Sequence, residues 1–165
     1  MGTQSEHKQI FSDLIHDNQN ILHKVCRIYI DDPMEREDLF QEICLQLWRS
    51  FPSFRKEAKL STWIYKVSLN TAIALLRKKK KSIVTESLND QIKMLSTESE
   101  KKENKDILYR AIARLSRIDK AIILLWLEEK SYEEISEILG ISKSNVSVKL
   151  VRIKKRLIEM INQQH

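Results

Sequence analysis

The feature that most constrains this chain is its scarcity of turn-forming residues, with 2 Gly and 2 Pro among 165 residues. Glycine-rich phosphate-binding loops and hairpin-rich β architectures need more of these residues, so both are excluded. Apolar residues recur at helical spacing along most of the sequence, and no segment alternates strictly between apolar and polar residues. The pattern predicts an all-α protein.

The helical periodicity divides the chain into two groups of helices. Helices are predicted over about 8–30, 35–50, 61–80, 107–115, 118–128, 131–139 and 142–161. Residues 82–105 are rich in Ser, Thr, Asn, Glu and Lys and form no sustained apolar face, which indicates a flexible linker. We therefore predict two small helical domains, 1–84 and 106–165, joined by a flexible linker over 85–105. The turn Asp31-Asp32-Pro33 is predicted to supply a cap for the second helix, Ser116 and Asp119 fit a cap for the helix over 118–128, and Gly140 is the predicted C-cap of the helix over 131–139.

Several classes of protein are disfavoured by what the sequence lacks. Cys26 and Cys44 belong to no CxxC or Cys/His cluster, so we expect two buried thiols and neither a disulfide scaffold nor a zinc site. No stretch approaches the ~18 apolar residues of a membrane span, and the polar N-terminus lacks the apolar run of a signal peptide. No membrane insertion is expected, and the predicted location is cytoplasmic. No cofactor is indicated.

Charge is distributed unevenly along the chain, whose net charge is +6. Residues 31–52 carry 6 acids and 2 bases, whereas residues 53–84 carry 9 bases and a single acid. Residues 142–158 carry six bases and no acid. Between these two basic segments, residues 85–106 carry 4 bases and 6 acids. Two basic segments separated by this acidic spacer favour two sites of contact with nucleic acid, although solvated charge runs are the alternative.

The segment 131–157 has the spacing of a helix-turn-helix, in which Gly140 ends one helix and a basic helix follows. At ~100° per residue, Val146, Leu150, Ile153 and Leu157 form the inward stripe of that basic helix. The opposite side mixes cations, hydrogen-bonding groups and small apolar side chains, which suits a DNA major groove. Its members are Lys143, Ser144, Asn145, Ser147, Val148, Lys149, Val151, Arg152, Lys155 and Arg156. An αα-hairpin with a solvated basic surface is the alternative.

The predicted third helix carries a tryptophan among cations. Its predicted buried face contains Leu60, Ile64, Val67, Thr71 and Leu75, and its predicted outward face contains Lys59, Trp63, Lys66, Asn70 and Arg77. A ring for base stacking, charges for phosphates and an amide for a base edge are what single-stranded nucleic acid requires. Trp63 as a half-buried packing residue is the alternative.

The predicted second helix differs from the third in charge. Its expected core residues are Leu39, Phe40, Ile43, Cys44, Leu47 and Trp48, and its expected outward residues are Asp38, Gln41, Glu42, Leu45 and Arg49. An acidic face with one exposed leucine, next to a basic surface, suggests a protein-docking face. A solvated acidic face is the alternative.

Two stretches resemble the bacterial RNA polymerase sigma factors of the extracytoplasmic-function (ECF) type. EREDLFQEICLQLWRSFPSFRKEAKLSTWIYKVSLNTA (35–72) resembles region 2 of that family, and ARLSRIDKAIILLWLEEKSYEEISEILGISKSNVSVKLVRIKKRL resembles region 4. They cover most of the chain in the family's order. Val148 stands where the family is often polar and Ala74 where Asp or Asn is common, so the family's base preferences do not transfer to this chain.

The resemblance implies a role for each surface. Asp38, Gln41, Glu42 and Leu45 match the helix that docks on the clamp of core RNA polymerase. Lys59, Trp63, Lys66, Asn70 and Arg77, with the loop 53–59, match the part that opens and reads the −10 promoter element. Promoter DNA, as duplex and as melted strand, is therefore an implied partner. The helix from Lys143 to Arg156 matches the reader of the −35 element. The resemblance also implies a cognate anti-sigma factor.

Two other functions are weighed against this one. A conventional helix-turn-helix regulator would have a closed apolar pocket for a ligand and would bind operators as a dimer. A small helical enzyme would need a catalytic constellation, yet the four histidines (His7, His16, His23 and His165) form no HExxH spacing and no nucleophile motif is present. We interpret the chain as a promoter-specificity factor that binds and does not catalyse.

Overall fold

The computed structural model describes residues 2–54, 59–82 and 100–163, and within these ranges all regular secondary structure is helical. The α-helices are α1 (Gly2–Tyr29), α2 (Pro33–Ser50), α3 (Leu60–Ser82), α4 (Glu100–Ala113), α5 (Arg117–Leu127), α6 (Tyr132–Leu139) and α7 (Lys143–Gln163). A short 3-10 helix, Phe51–Ser53, follows α2. The all-α prediction is confirmed.

Side-chain caps fix where three of the helices begin. Asp32 accepts a hydrogen bond from the Glu35 amide at the start of α2, with Pro33 in the first turn, and Ser116 accepts from the Asp119 amide at the start of α5. Ser131 and Glu134 form a reciprocal capping box at the start of α6. These caps satisfy amide groups that have no partner within the helix.

Gly140 ends α6 in the left-handed conformation, with φ of 69° and ψ of 30°. A residue with a Cβ is strained there, whereas glycine is not. The chain then turns through residues 141–142 into α7, so the predicted helix-turn-helix is formed by α6 and α7.

The first three helices pack against one another around a shared apolar interior. α1 is longer than predicted and is interrupted at Asn18, where φ is −118° and ψ is 15°. The Asn18 side-chain amide donates to the Leu14 carbonyl at 2.9 Å. Beyond this kink, Leu22 and Val25 are fully buried with Leu39 and Leu69.

The buried face of α3 is centred differently from the prediction. Tyr65, Ser68, Leu69 and Ala72 are at most 2% exposed. Of the predicted buried set, Ile64 is buried, whereas Leu60, Val67, Thr71 and Leu75 are half-buried. The physical reason is that α3 contacts α1 and α2 on one side and α5 and α6 on another, so a wider arc is covered.

The remaining helices form the second half of the molecule, in which α7 packs against α4, α5 and α6. α4 begins at Glu100, so residues 100–105 of the predicted linker are helical. Residues 85–99 of that linker lie outside the described residues.

The two halves share one continuous core. α1 contacts α4 and α5, and α3 contacts α5 and α6. Buried residues of the first half, such as Leu22 and Tyr65, belong to the same apolar cluster as Ile122 and Leu125 of the second half. A division into two domains at 84 and 106 therefore stays a prediction.

Both thiols are free: Cys26 is buried and Cys44 is half-buried. Burial, with a smaller contribution from Cys44, raises the pKa of the Cys26 thiol to about 11, and burial raises the pKa of Cys44. Thiols in such surroundings are unreactive. Among the described residues, no helix is long and apolar enough to cross a membrane, and no three His, Cys, Asp or Glu side chains are grouped as metal ligands would be.

Candidate nucleic-acid and polymerase interfaces

The helix-turn-helix presents one side of α7 to solvent. The predicted inward stripe is confirmed, since Val146, Leu150, Ile153 and Leu157 are at most 5% exposed. Of the predicted duplex-reading residues, Lys143, Ser144, Asn145, Val148, Arg152 and Lys155 are exposed, and Ser147 and Lys149 are half-buried. The exposed side of α7 thus carries cations, an amide, a hydroxyl and an apolar side chain together. Val151, which is 64% exposed, extends the apolar part of this surface.

Two lysines of α7 have contacts within the second half of the molecule. Lys143 pairs with Glu133 of α6 at 3.0 Å, and both side chains are more than half exposed. Such exposed pairs contribute little to stability, so Lys143 can exchange this partner for a phosphate. Lys154 lies over the ring of Trp126 in α5 at 4.7 Å. This contact directs Lys154 toward α5. Trp126 is 37% exposed, and the Lys154 ammonium group covers part of its ring.

The outward face of α3 carries the second predicted surface. Lys59, Lys66, Asn70 and Arg77 are exposed and Trp63 is half-buried. Of the loop 53–59 that was predicted to assist them, residues 55–58 lie outside the described residues. Lys59, just before α3, and Arg77 are the cations at the two ends of this exposed face, and Asn70 lies between them.

Trp63 takes part in an aromatic cluster that sequence periodicity did not reveal. Its ring stacks on Phe54 with centroids 4.7 Å apart and an interplanar angle of 27°, and it is tilted against Phe51 at 6.3 Å. Phe51 contacts Phe11 of α1 at 5.6 Å, which in turn contacts Trp48 at 5.0 Å. Phe54 therefore orients the indole at the edge of the core.

The outward face of α2 is acidic and partly apolar. Asp38, Gln41 and Leu45 are exposed, and Glu42 is half-buried and accepts a hydrogen bond from Gln46 at 3.0 Å. Trp48 was expected in the core, but it is 38% exposed, beside Leu45 at 41%. The expectation is wrong because Trp48 packs edge-on against Phe11, which is itself only half-buried, so part of the indole stays in solvent. Leu45 and Trp48, three residues apart, share one exposed apolar strip.

An open groove of about 330 Å³ separates the α2 face from the α3 face. Glu42 and Gln46 of α2 line one wall, and Asn70, Ala74 and Lys78 line the other. The acidic and the basic surfaces are therefore neighbours, separated by the width of the groove. A protein bound to α2 and a nucleic acid bound to α3 would lie side by side.

The protein is therefore helical and carries both a helix-turn-helix and a second, separate basic surface with an aromatic residue. The model of the Sigma-70 region 2 family matches residues 14–82, and that of Sigma-70 region 4 matches residues 105–157. Together the two matches span most of the chain.

Individual relatives agree with the family matches. RNA polymerase sigma factor SigV of Bacillus subtilis is 29% identical over 149 residues, which cover 90% of this chain and 89% of SigV. ECF RNA polymerase sigma factor SigW of the same organism is 25% identical over an aligned region that covers 89% of this chain and 86% of SigW. The solved complex of the sigma factor RpoE with the anti-sigma factor NepR from Bartonella quintana has the same fold, with a TM-score of 0.67 at 20% identity over 95% of this chain and 97% of RpoE.

The chain belongs to the sigma-70 family of RNA polymerase sigma factors, and its relatives assign it to the ECF group. It is a transcription factor that directs RNA polymerase to promoters for the initiation of transcription. The family predicted from the sequence is confirmed.

Proposed function

We propose that α2 is the surface through which this sigma factor docks on the clamp of core RNA polymerase. Asp38, Gln41, Glu42 and Leu45 would carry the contact. Three of them are exposed on one side of the helix, and Leu45 adds exposed apolar area next to Trp48. Exposed apolar side chains among polar ones are typical of a protein interface.

We propose that α3 binds the −10 element once its strands separate, and that it assists this separation. Lys59, Lys66 and Arg77 would contact phosphates, Asn70 would contact a base edge, and Trp63 would stack with an unpaired base. Phe54 supports this role by holding the indole from one side. Only the groove separates this surface from the α2 face, and this proximity supports simultaneous contact with polymerase and DNA.

We propose that α7 reads the −35 element as duplex DNA. Asn145, Val148 and Arg152 would contact base edges, and Lys149 and Lys155 would contact phosphates. The duplex-reading set also contains Lys143, Ser144 and Ser147. The observation that carries the proposal is the fully buried apolar stripe of α7, because it fixes which side of this helix is presented to solvent.

The proposed activity is binding, since it consists of two contacts with DNA and one with polymerase. The bond-making chemistry would belong to the polymerase, and the protein would act in the cytoplasm without a cofactor or catalytic residues of its own. An anti-sigma factor is the expected regulatory partner. This expectation is supported by the relative of the same fold that was solved with the anti-sigma factor NepR.

The polymerase contact is tested by reversing the charge of the α2 face. Asp38→Arg combined with Glu42→Arg is expected to abolish association with core polymerase, measured with purified components. Asp13→Arg combined with Asp17→Arg is the matched control, since it makes the same change to two exposed acids four residues apart on α1. Surface substitutions usually change stability by about 0.5 kcal/mol or less, so both variants should melt as the wild type does. Undiminished binding by the α2 variant would show that this face is not the dock.

A further inference from the structure

Five aromatic side chains from α1, α2, α3 and the 3-10 helix form a continuous row of ring contacts, which we call the aromatic row. In the order in which the rings touch, its members are Phe54, Trp63, Phe51, Phe11 and Trp48. Trp63 belongs to the α3 surface proposed to bind the −10 element. Phe11 and Phe51 belong to none of the surfaces assigned above, so the proposed function leaves them without a role.

Phe11 precedes the part of the chain that the family accounts for, since the match to Sigma-70 region 2 begins at residue 14. Its half-buried ring makes an edge contact with Trp48 at 5.0 Å and 66°, and another with Phe51 at 5.6 Å and 67°. A ring has a negative face and a positive edge, so T-shaped contacts of this kind are attractive beyond the apolar area that they bury. An aliphatic side chain at position 11 could bury similar area but could not reproduce these two contacts.

A kink in α1 separates Phe11 from the residues that fix α1 in the core. Leu22, which follows the kink, is fully buried. At Asn18 the backbone leaves helical geometry, and the side-chain amide donates to the Leu14 carbonyl at 2.9 Å. Helices kink where a side chain enters their hydrogen-bond ladder in this way. The first part of α1 therefore has its own direction, along which Phe11 reaches the end of α2 and the 3-10 helix.

The 3-10 helix places two rings against Trp63. Side chains three residues apart eclipse one another in 3-10 geometry, so Phe51 and Phe54 lie on the same side of this turn. The Phe54 amide donates to the Phe51 carbonyl at 3.1 Å and closes the turn, and Pro52 restricts the backbone between them. Phe54 stacks on the indole at 4.7 Å, and Phe51 is tilted against it at 6.3 Å.

These contacts fix the orientation of the indole before any DNA is present. Phe54 covers one face of the Trp63 ring, and Phe51 holds the same ring from a second direction. A side chain that is already ordered loses less conformational freedom on binding than one that must be immobilised by its ligand. Phe51 is in turn held by Phe11, so α1 supports the turn that orients the indole.

We propose that Phe11 is a positioning residue for strand opening, because through Phe51 it holds the Trp63 indole in the orientation that stacks with an unpaired base. The inference rests on the proposed function, since it assumes that Trp63 meets such a base. Phe11 would not touch DNA itself. Strand opening would thus depend on a segment of α1 that lies ahead of the region 2 match.

The test removes the ring at position 11 and keeps its apolar bulk. The variant is Phe11→Leu in the full chain, and Phe11→Tyr is the conservative variant that keeps the ring. Phe40→Leu is the matched control, since Phe40 is also half-buried and contacts a ring of α1, but its partner is His23 at 4.8 Å, outside the aromatic row. Each protein is assayed with core polymerase on a closed promoter and on a template mismatched across the −10 region, and its Tm is measured.

We expect Phe11→Leu to reduce transcription from the closed promoter about threefold, because an edge-to-face contact is worth a factor of about 2 to 10 in an equilibrium. The mismatched template should restore the activity of Phe11→Leu, since the cost of opening has been removed. Phe11→Tyr should retain most of the activity on both templates. Phe40→Leu should lower Tm as Phe11→Leu does, yet transcribe both templates as the wild type does.

A double variant separates positioning from general stability. In the Trp63→Ala background, Phe11→Leu should cause no further loss of transcription, because the ring that it positions is gone, but it should still lower Tm. Residues that act through one another show such non-additive effects.

The proposal would be overturned if Phe11→Leu transcribed closed promoters normally, lost the same activity on both templates, or multiplied the loss caused by Trp63→Ala. If circular dichroism shows that Phe11→Leu is not folded, Phe51→Leu takes its place, since it removes the next ring of the aromatic row. Normal transcription of closed promoters by Trp63→Ala would instead contradict the function proposed for Trp63. An impaired Trp63→Ala with a normal Phe11→Leu would contradict the role of Phe11 alone.

Discussion

Replacing Trp63 with Ala separates the stacking role of this residue from its packing role. The indole is half-buried, with its ring stacked on Phe54 at 4.7 Å and tilted against Phe51 at 6.3 Å. Removing a fully buried Trp costs about 3–5 kcal/mol, so this partly covered ring should cost about 2 kcal/mol. For a chain of this length, that loss lowers Tm by roughly 4–8 °C. The folded state should persist at ordinary assay temperatures.

The loss of DNA stacking should be larger in effect than the loss of stability. Stacking on an aromatic side chain is worth ~1–3 kcal/mol per base, whereas melting costs ~1.4 kcal/mol per base-pair step. Losing one stacking platform is therefore comparable to opening one or two additional steps. We expect Trp63→Ala to reduce transcription from a closed promoter about tenfold or more while association with polymerase is retained.

The assay compares a closed template with one that is already mismatched across the −10 region, at a temperature where the variant is folded. The mismatched template should restore much of the activity, because the cost of opening has been removed. Trp63→Phe is the matched control, since it keeps a ring that can stack on Phe54 and on a base. Normal transcription of closed promoters by Trp63→Ala would show that Trp63 is a packing residue alone.

The remaining predictions concern the helix-turn-helix. If Arg152 contacts a base, Arg152→Ala should weaken binding to the −35 duplex by ~1–3 kcal/mol. If Arg152 contacts a phosphate, the loss of affinity should be similar on all sequences, and the affinity should depend less on salt. An unchanged affinity and salt dependence, measured by titration at several salt concentrations, would remove Arg152 from the interface. Gly140→Ala should lower the free energy of unfolding by about 1 kcal/mol, because alanine is strained at a positive φ. Apart from its immediate chain neighbours, no residue has an atom within 4 Å of the added Cβ, so backbone strain is the source of the loss. Urea unfolding with an unchanged midpoint would contradict this prediction.

The sequence predicted those features that depend on local chemistry. The caps at Asp32 and Ser116, the left-handed Gly140 and the inward stripe of α7 follow from residue type and spacing within a few residues. The solvent-facing side of α7 follows in turn, because one helix face must be buried. The family resemblance added the roles that the surfaces are expected to have.

The errors arose where one helix has several neighbours. The prediction for α3 assumed a single apolar stripe, and Tyr65 and Ser68 were therefore missed although both are buried. Trp48 was predicted to lie in the core with the other apolar residues of α2, yet it packs against the half-buried Phe11 and is 38% exposed. Contacts such as Tyr29 with Arg117 join residues 88 positions apart, and no local pattern reports them.

Reconstituted transcription shows whether this chain gives promoter specificity to RNA polymerase. The purified protein is mixed with sigma-free bacterial core polymerase and a genomic DNA library, and the 5′ ends of the transcripts are mapped. The expected result is a set of discrete start sites that share two upstream sequence elements and that disappear with the Asp38→Arg, Glu42→Arg variant. Transcription that is no more site-specific than that of core polymerase alone would contradict it.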